Sequence, residues 1–460
     1  MPKFDLYFLY IALSMVVLLV ILINLYWGTY FIILAQPLFI SVLSEGAMSG
    51  MTTTVGVSKV IYGVLFALWF MAWGLSRGFS RKGKQPALAP SMAAPALALG
   101  GYLGVAILLG LVYGANFGDI IRDLSQYVGY LAVLPLLDLV RTPRQAKNLI
   151  FFLALVGLPT YLLTTIWGIG AKQRLDLSPA LVMFQFAGQY WGPIEGAIWA
   201  VAVSFPGLAG QISAWLWLVL EGGMSIISGY RHKLLMFILA ALTAFMVSGT
   251  LARRRLARYL IPVILSLMIV AIMADLSGMI NLPLTDVTRD RYSTLLSGKK
   301  FQQDDSMQGR FQEAQWLLKK FWQNPVTGIG LGHGAGDPTL PGGYNFVYHN
   351  GYHASLMKFG VIGSLIFAWY FLALLRQALA IGRRADNYFA RVIGLGLVVW
   401  LIPALIGSFW VNFFSNRGFA LTVGVMAGLL PALVLSPQEA AADTRQAAAK
   451  VVTPALAIRK

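Results

Sequence analysis

Histidine is the side chain in this sequence best suited to chemistry near neutral pH. The chain has four, at positions 232, 333, 349 and 353. An unperturbed imidazole titrates near pH 6.5 and therefore suits proton transfer. His349 directly precedes an apolar segment, at the predicted boundary between the membrane and water. Two interpretations stay open for it, a general base or a histidine that only caps or anchors a helix.

Arginine and lysine residues that are predicted on the same outer side of the membrane as the histidines form the second group of candidates. Arginine suits bidentate capture of phosphate, so these positions predict an anionic ligand. Arg231 is a good candidate because SGYRHKLLMF places it at a helix end. Lys319 and Lys320 fit the solvated face of a helix better. The residues singled out for anion binding are Arg231, Lys233, Arg310 and Arg174.

Other chemistry finds little support in the sequence. The chain has no cysteine, which excludes disulfides, thiolate metal sites and a cysteine nucleophile. Asp304 and Asp305 could bind a cation, although two adjacent carboxylates on a polar loop are more often solvated. The run GIGLGHGAG lacks a preceding strand, and no G-x-x-x-x-G-K motif is present, so nucleotide binding is not indicated. We expect neither a metal nor a cofactor.

The elements that must position these residues are membrane helices. Of 460 residues, 58% are hydrophobic and only 12% are charged, too few charges for a water-facing surface. A spanning helix needs roughly 20 mostly apolar residues. The sequence predicts an all-α polytopic protein with twelve spans, near residues 7–27, 58–76, 92–114, 125–140, 148–167, 180–204, 210–228, 234–250, 259–275, 352–375, 392–413 and 418–436. Residues 29–44, with Pro37, are predicted as a half-buried segment on the outer face.

Basic clusters fall on alternate loops, and short cytoplasmic loops are the ones enriched in Lys and Arg. Both termini are therefore predicted to be cytoplasmic. The net charge of +17 is explained largely by this topology and by attraction to anionic lipid, so it does not indicate nucleic acid. The predicted regions are helices 1–9 (1–275), a long outer loop with the candidate catalytic motif (276–350), helices 10–12 (351–436) and a cytoplasmic tail (437–460).

The long loop divides into two parts. From Gly309 to Phe321, the apolar spacing fits an amphipathic helix. Between Gly328 and Gly343, nine of sixteen residues are Gly or Pro, which predicts irregular backbone.

The loop and the start of the next helix resemble the signature of the O-antigen ligase and polymerase superfamily. The matching stretches are GRFQEAQWLLKKFWQNPVTGIGLG (309–332) and YHNGYHASLMKFGVIGSLIF (348–367). They contain a G-R-x-x-x-x-W-like helix, an N-P-x-x-G-x-G turn, and H-N ahead of a helix with F-G-x-x-G. The pattern covers about 60 residues.

This resemblance implies a GT-C-like, metal-independent, inverting glycosyltransferase in the inner membrane of a Gram-negative bacterium, with a periplasmic active site. The donor would be a glycan linked to undecaprenyl pyrophosphate. A ligase would pass it to the lipid A core, and a polymerase to another lipid-linked repeat; the ligase is favoured. The family's essential histidine carries over onto His349, and its arginines onto Arg310 and Arg231, with Arg174 as an outside alternative. Asn350 and His333 are supporting residues.

A transporter or flippase is the competing class, since twelve spans and a basic cavity would suit it too. Transporters place charges near the membrane midplane and often contain internal repeats. Here the two halves do not match, and the candidate charges gather at one face. Glu195, in a span interrupted by Gly192 and Pro193, is the exception and is left without a role.

Overall fold

The computed structural model describes residues 14–37, 54–79, 90–172, 191–204, 208–227, 231–248, 305–334 and 349–434. Every regular element in these ranges is helical. In chain order the helices are α1 (Ser14–Ile23), α2 (Leu25–Pro37), α3 (Thr54–Phe79), α4 (Pro90–Val112), α5 (Phe117–Tyr127), a 3-10 turn (Val128–Ala132), α6 (Val133–Leu139), α7 (Pro143–Lys172), α8 (Gly192–Ser204), α9 (Leu208–Ile227), α10 (Arg231–Val247), α11 (Asp305–Gln323), α12 (Gly351–Arg384), α13 (Tyr388–Gly407) and α14 (Arg417–Leu433).

Three of the described helices, α4, α12 and α13, are long and apolar enough to cross a membrane. Shorter apolar helices are found at α1 and α14 and within α3 and α10. Large apolar side chains such as Leu108, Leu365 and Leu372 are exposed on the long helices. An exposed apolar surface of this kind suits lipid rather than water. The described part of the chain is therefore an all-α membrane protein, whereas the count of twelve spans and the GT-C-like architecture stay predictions.

The predicted boundary between the first span and the segment 29–44 is wrong. α1 ends at Ile23, and α2 begins after Asn24 and runs through to Pro37. Asn24 Oδ1 accepts hydrogen bonds from the backbone N–H groups of Tyr26 (2.9 Å) and Trp27 (3.3 Å). An asparagine that caps a helix in this way starts a new helix inside an apolar run, and apolar spacing alone does not reveal it.

The predicted single span at 125–140 is also wrong, because the chain there is divided into α5, the 3-10 turn and α6. Gly129 lies so close to the backbone of Leu421 in α14 that a Cβ would collide with it. Side chains near the break bond to backbone carbonyls. Tyr130 Oη donates to the carbonyl of Phe414, and Tyr370 Oη donates to the carbonyl of Tyr130, both at 3.0 Å. Broken backbone at membrane depth requires internal partners of this kind.

Most of the other predicted segments overlap a described helix. Those at 58–76, 92–114, 148–167, 210–228, 234–250, 352–375, 392–413 and 418–436 correspond to α3, α4, α7, α9, α10, α12, α13 and α14. For the segment 180–204, the structure describes 191–204, where α8 begins at Gly192. The segment 259–275 lies outside the described residues.

Helix α12 consists of two helical parts joined at Gly360, whose φ of 60° and ψ of −165° are accessible essentially only to glycine. At the break, the N–H groups of Val361 and Ile362 donate to the carbonyls of Pro325 (2.9 Å) and Val326 (3.2 Å). The interrupted helix thus binds the turn that follows α11. This contact joins the long predicted loop to the membrane helices.

The glycine-rich segment, residues 328–334, follows this turn and packs between α4 and α12. The N–H groups of Ile329 and Gly330 donate to the carbonyls of Met357 (2.9 Å) and Lys358 (3.0 Å), and the N–H of Leu331 donates to the carbonyl of Ala106 (2.9 Å). Leu331 is fully buried. The N–H groups of Ile329, Gly330 and Leu331 are thus used within the protein to fix this segment against the two helices.

Candidate active site

A carboxylate and an imidazole meet where α11 lies beside the start of α12. Glu313 Oε2 is 2.8 Å from His349 Nδ1, and Glu313 Oε1 accepts a 2.6 Å hydrogen bond from the backbone N–H of His349. The two-point contact fixes both the backbone and the ring of His349. The His349 side chain is 48% exposed and that of Glu313 is 14% exposed. The imidazole therefore remains accessible from outside while its carboxylate partner is sheltered.

Asn350 fixes the backbone that carries His349. It is the N-cap of α12, where its Oδ1 accepts a 3.0 Å bond from the N–H of His353. Its Nδ2 donates to the carbonyl of Phe409 at 3.1 Å. The N–H of the next residue, Gly351, donates to the carbonyl of Ser408 at 2.8 Å. Asn350, predicted as a supporting residue, thus links the start of α12 to the end of α13.

Arg310 lies one helical turn before Glu313 on α11, a spacing that puts both residues on the same helix face. Arg310 is half-buried, and its Nε has no hydrogen-bond partner among the described residues. Arg310 therefore has a donor without an acceptor among the described residues, on the helix face that carries Glu313.

A small apolar cluster holds α11 against the first part of α12. Its buried members are Leu317, Ile329, Ala354 and Met357, with Trp316 packed at the edge. These residues come from α11, the glycine-rich segment and α12. The cluster therefore fixes the relative position of the helices that carry Glu313 and His349.

A buried ion pair connects α5 to α12. Lys358 Nζ forms an ion pair with Asp123 Oδ1, and both side chains are completely buried. Asp123 Oδ2 also accepts a 3.0 Å hydrogen bond from the N–H of Gly332. The pair therefore joins α5, α12 and the glycine-rich segment. Neither residue was singled out from the sequence.

His333 follows Gly332 directly and is half-buried. Burial lowers the pKa of its imidazole below the ordinary value; the Asp123 carboxylate opposes this shift, and the positive charges of Lys358 and Lys320 add to it. His333 is thus held next to the buried pair and not beside His349 in any described contact. Lys320, predicted on the solvated helix face, is half-buried with its Nζ 5.8 Å from the centre of the Trp316 ring.

His353 is the histidine closest in sequence to His349 and lies one turn into α12. It interacts electrostatically with Glu313, and its buried Nδ1 has no hydrogen-bond partner among the described residues. The two histidines therefore flank the same carboxylate. Of the two, His349 makes the direct contact.

Three predicted anion-binding residues cannot be placed around this pair. Arg231 and Lys233 belong to the first turn of α10, which confirms that Arg231 stands at a helix end, but their side chains lie outside the described atoms. Arg174 lies outside the described residues. Glu221, in the separate helix α9, accepts a 2.9 Å hydrogen bond from Tyr161 Oη.

Sequence reasoning missed Glu313, although a signal was present. Glu313 occupies the position one turn after Arg310 on a helix already predicted to be amphipathic, and a carboxylate next to a candidate arginine could have been singled out. Lys358 also carried a signal, because a lysine within an apolar span needs a partner. The identity of that partner, Asp123, is not readable from spacing.

The arrangement can perform base catalysis on an exposed substrate. A carboxylate that accepts the Nδ1–H of an imidazole fixes the tautomer and leaves Nε2 free to take a proton. The same carboxylate stabilises the imidazolium that forms. Arg310 adds positive charge on the adjacent helix turn, where a substrate anion would be held.

Comparison with protein families gives one match. Residues 213–368 match the family model described as O-antigen ligase, which confirms the resemblance to that superfamily. The matched stretch contains α10, α11 and the first part of α12, and with them Arg310, Glu313 and His349. A search of the curated proteins finds no match.

Proposed function

We propose that the chain is a membrane glycosyltransferase of the O-antigen ligase type, because residues 213–368 match the model of that family. It moves a preassembled O-antigen glycan from undecaprenyl pyrophosphate to a hydroxyl of the lipid A core. The observation that supports this activity most directly is the Glu313–His349 pair, with Nδ1 bound at 2.8 Å and the imidazole half exposed.

In the proposed reaction, His349 Nε2 removes the proton from the acceptor hydroxyl as its oxygen attacks the anomeric carbon. The bond from that carbon to the pyrophosphate oxygen breaks, and the electron pair leaves with the pyrophosphate. Direct displacement inverts the anomeric configuration. Pyrophosphate is already a good leaving group, so positioning, proton removal and charge stabilisation are sufficient.

The charge that develops on the leaving pyrophosphate is stabilised by arginine in this proposal. Arg310 is the described candidate; its Nε has no hydrogen-bond partner among the described residues, and it lies one helix turn before Glu313. Arg231, Lys233 and Arg174 are the further candidates from the sequence. Glu313 keeps His349 in the tautomer that accepts the proton and then stabilises its charged form.

The same proposal assigns the protein to the inner membrane of a Gram-negative bacterium, with both termini cytoplasmic and the site periplasmic. The exposed apolar surfaces of α4 and α12 support a lipid environment, and the alternating basic loops support the orientation. The polyprenyl tail of the donor would lie between helices and would explain why the enzyme is embedded in lipid.

The test is glycan transfer by purified protein in detergent, with one lipid-linked glycan donor and either lipid A core or a second donor molecule as acceptor. We expect transfer to lipid A core, reduced by about 10²–10⁴-fold in His349→Ala, as for the loss of a general base. Lys319→Ala is the matched control, because Lys319 is exposed on the same helix as Glu313. It should transfer at the wild-type rate.

The acceptor decides between related activities. Elongation of one donor by another, without transfer to lipid A core, would identify a polymerase. No transfer to either acceptor by a folded wild-type protein would contradict a transferase and favour the transporter class. An unimpaired His349→Ala variant would remove His349 from the mechanism whichever acceptor is used.

A further inference from the structure

A buried arginine at the start of α14 has N–H donors for which the described residues supply no acceptor. Arg417 is the first residue of the helix and is only 9% exposed. Its Nε donates to Ser125 Oγ at 2.8 Å, and its Nη2 donates to the carbonyl of Arg122 at 3.2 Å. A guanidinium has five N–H donors. Three of those of Arg417 therefore have no acceptor in the described part of the chain.

The charge of Arg417 is also poorly balanced. Asp123 is a carboxylate that interacts with it electrostatically, but both oxygens of Asp123 are engaged, one by Lys358 Nζ and the other by the N–H of Gly332. The positive charge of Arg122 acts on Arg417 as well. Arg417 stands at a helix N-terminus, which is itself the positive end of the helix dipole. Burial of an uncompensated cation is costly.

A second polar group, which interacts electrostatically with Arg417, has no hydrogen-bond partner among the described residues. Tyr62 in α3 is 1% exposed, and its hydroxyl has no hydrogen-bond partner among the described residues. This hydroxyl interacts electrostatically with Arg417. Buried hydroxyls are almost always bonded in native structures, so an unpartnered one indicates a missing water, ion or ligand. Arg417 and Tyr62 come from different helices, and each has hydrogen-bonding capacity that no described residue uses.

We propose that Arg417 and Tyr62 bind a phosphate group. The guanidinium fork matches two phosphate oxygens, the first N–H groups of a helix favour an anion, and a tyrosine hydroxyl can donate to a third oxygen. The phosphate belongs either to a lipid headgroup or to a free phosphate ion. The site shares no residue with the Glu313–His349 pair, and the proposal does not depend on the transfer reaction.

The experiment measures thermal unfolding of the full-length protein in two arms. In detergent, inorganic phosphate is titrated against sodium chloride of equal ionic strength. In nanodiscs, phosphatidylglycerol is compared with digalactosyl diacylglycerol, a neutral bilayer lipid without phosphate. We expect phosphate in one or both arms to raise the Tm of the wild type, and the effect to be lost in Arg417→Gln. Arg384→Gln, at an exposed arginine at the end of α12, should respond like the wild type.

Tyr62→Phe keeps the inference falsifiable if Arg417→Gln does not fold. It removes one hydroxyl that has no described protein partner, so the fold should persist while the Kd for phosphate rises about tenfold, as for a lost charge-assisted hydrogen bond. A response only in detergent identifies free phosphate, and a response only in nanodiscs identifies a lipid phosphate. Equal responses in the wild type and Tyr62→Phe, or no response in either arm, would overturn the proposal.

Discussion

Two side-chain pairs hold α12, each with one carboxylate, and they differ most in burial. At the start of the helix, Glu313 contacts His349, whose side chain is 48% exposed. Nine residues later, Asp123 contacts Lys358, and both side chains are 0% exposed. Each carboxylate also accepts a backbone N–H bond, from His349 in one case and from Gly332 in the other. The same combination of side-chain and backbone contacts therefore occurs at two positions that lie nine residues apart.

The difference in exposure separates two roles. A fully buried pair cannot meet a substrate, and its two charges stabilise each other in the low-dielectric interior. An exposed imidazole held by a sheltered carboxylate can meet a substrate and exchange a proton with it. The buried pair thus fixes the position of α12, and the exposed pair lies at the start of that helix.

The largest expected effect comes from breaking the buried pair. Lys358→Met should lower the free energy of unfolding by about 3–5 kcal/mol, because it leaves the carboxylate of Asp123 buried without a counter-charge. The measurement is thermal or denaturant unfolding of the purified protein in detergent. Lys319→Met, at an exposed position, is the control for the change of residue type.

The double variant Asp123→Asn with Lys358→Met sharpens the same test. The asparagine introduced by Asp123→Asn would retain an oxygen for the N–H of Gly332 while both charges are removed, and an uncharged replacement of this kind is often close to neutral. We expect it to recover most of the lost stability. A double variant no more stable than Lys358→Met would show that charge compensation is not what the pair provides.

Glu313→Gln is the corresponding change at the exposed pair, and it should act on the reaction instead of the fold. Gln retains an oxygen for the N–H of His349, but its amide no longer selects one tautomer or stabilises an imidazolium. We expect kcat for glycan transfer to fall by about 10²-fold, at the lower end of the loss expected from removing the imidazole itself. An unchanged Tm would distinguish this result from unfolding. An unchanged kcat would make the Glu313–His349 contact a structural cap only.

Gly360 joins the first part of α12, next to both pairs, to the rest of the helix. Gly360→Ala tests whether the kink at this residue is required for stability. The positive φ disfavours any side chain, and a Cβ there would collide with the backbone of Val326. We expect a loss of about 2 kcal/mol in the free energy of unfolding. Gly104→Ala on α4 is the matched control, since its Cβ would meet no described atom within 4 Å. Equal stability of the two variants would contradict the requirement for glycine at the kink.

Much of the exposed pair could be predicted from the sequence, because its signals are local. The amphipathic pattern located α11, the apolar run located α12, and the H-N motif located His349 and Asn350 at the boundary. Each of these depends on neighbours within a few turns. Even so, Glu313 was not singled out, since one sequence does not show which helix face meets another chain segment.

The buried pair could not be predicted, because its parts lie far apart in the chain. Asp123 and Lys358 are separated by more than two hundred residues, and the chain just after Asp123 was merged into a single predicted span at 125–140. The break in that span depends on the close approach of Leu421 to Gly129. Only the packed structure brings these positions together, and the unused donors of Arg417 become visible only there.

The smallest expected effect is a pH dependence at His333, which lies beside the buried pair. Because burial lowers the pKa of its imidazole in the folded state, the unfolded chain takes up the proton first as the pH falls. The contribution of neutral His333 to stability is therefore complete above about pH 6.5 and is lost as the pH drops below that value. We expect the Tm of the wild type to fall more steeply than that of His333→Asn between about pH 7 and pH 5. Parallel curves would mean that burial does not lower the pKa of His333 in the folded state.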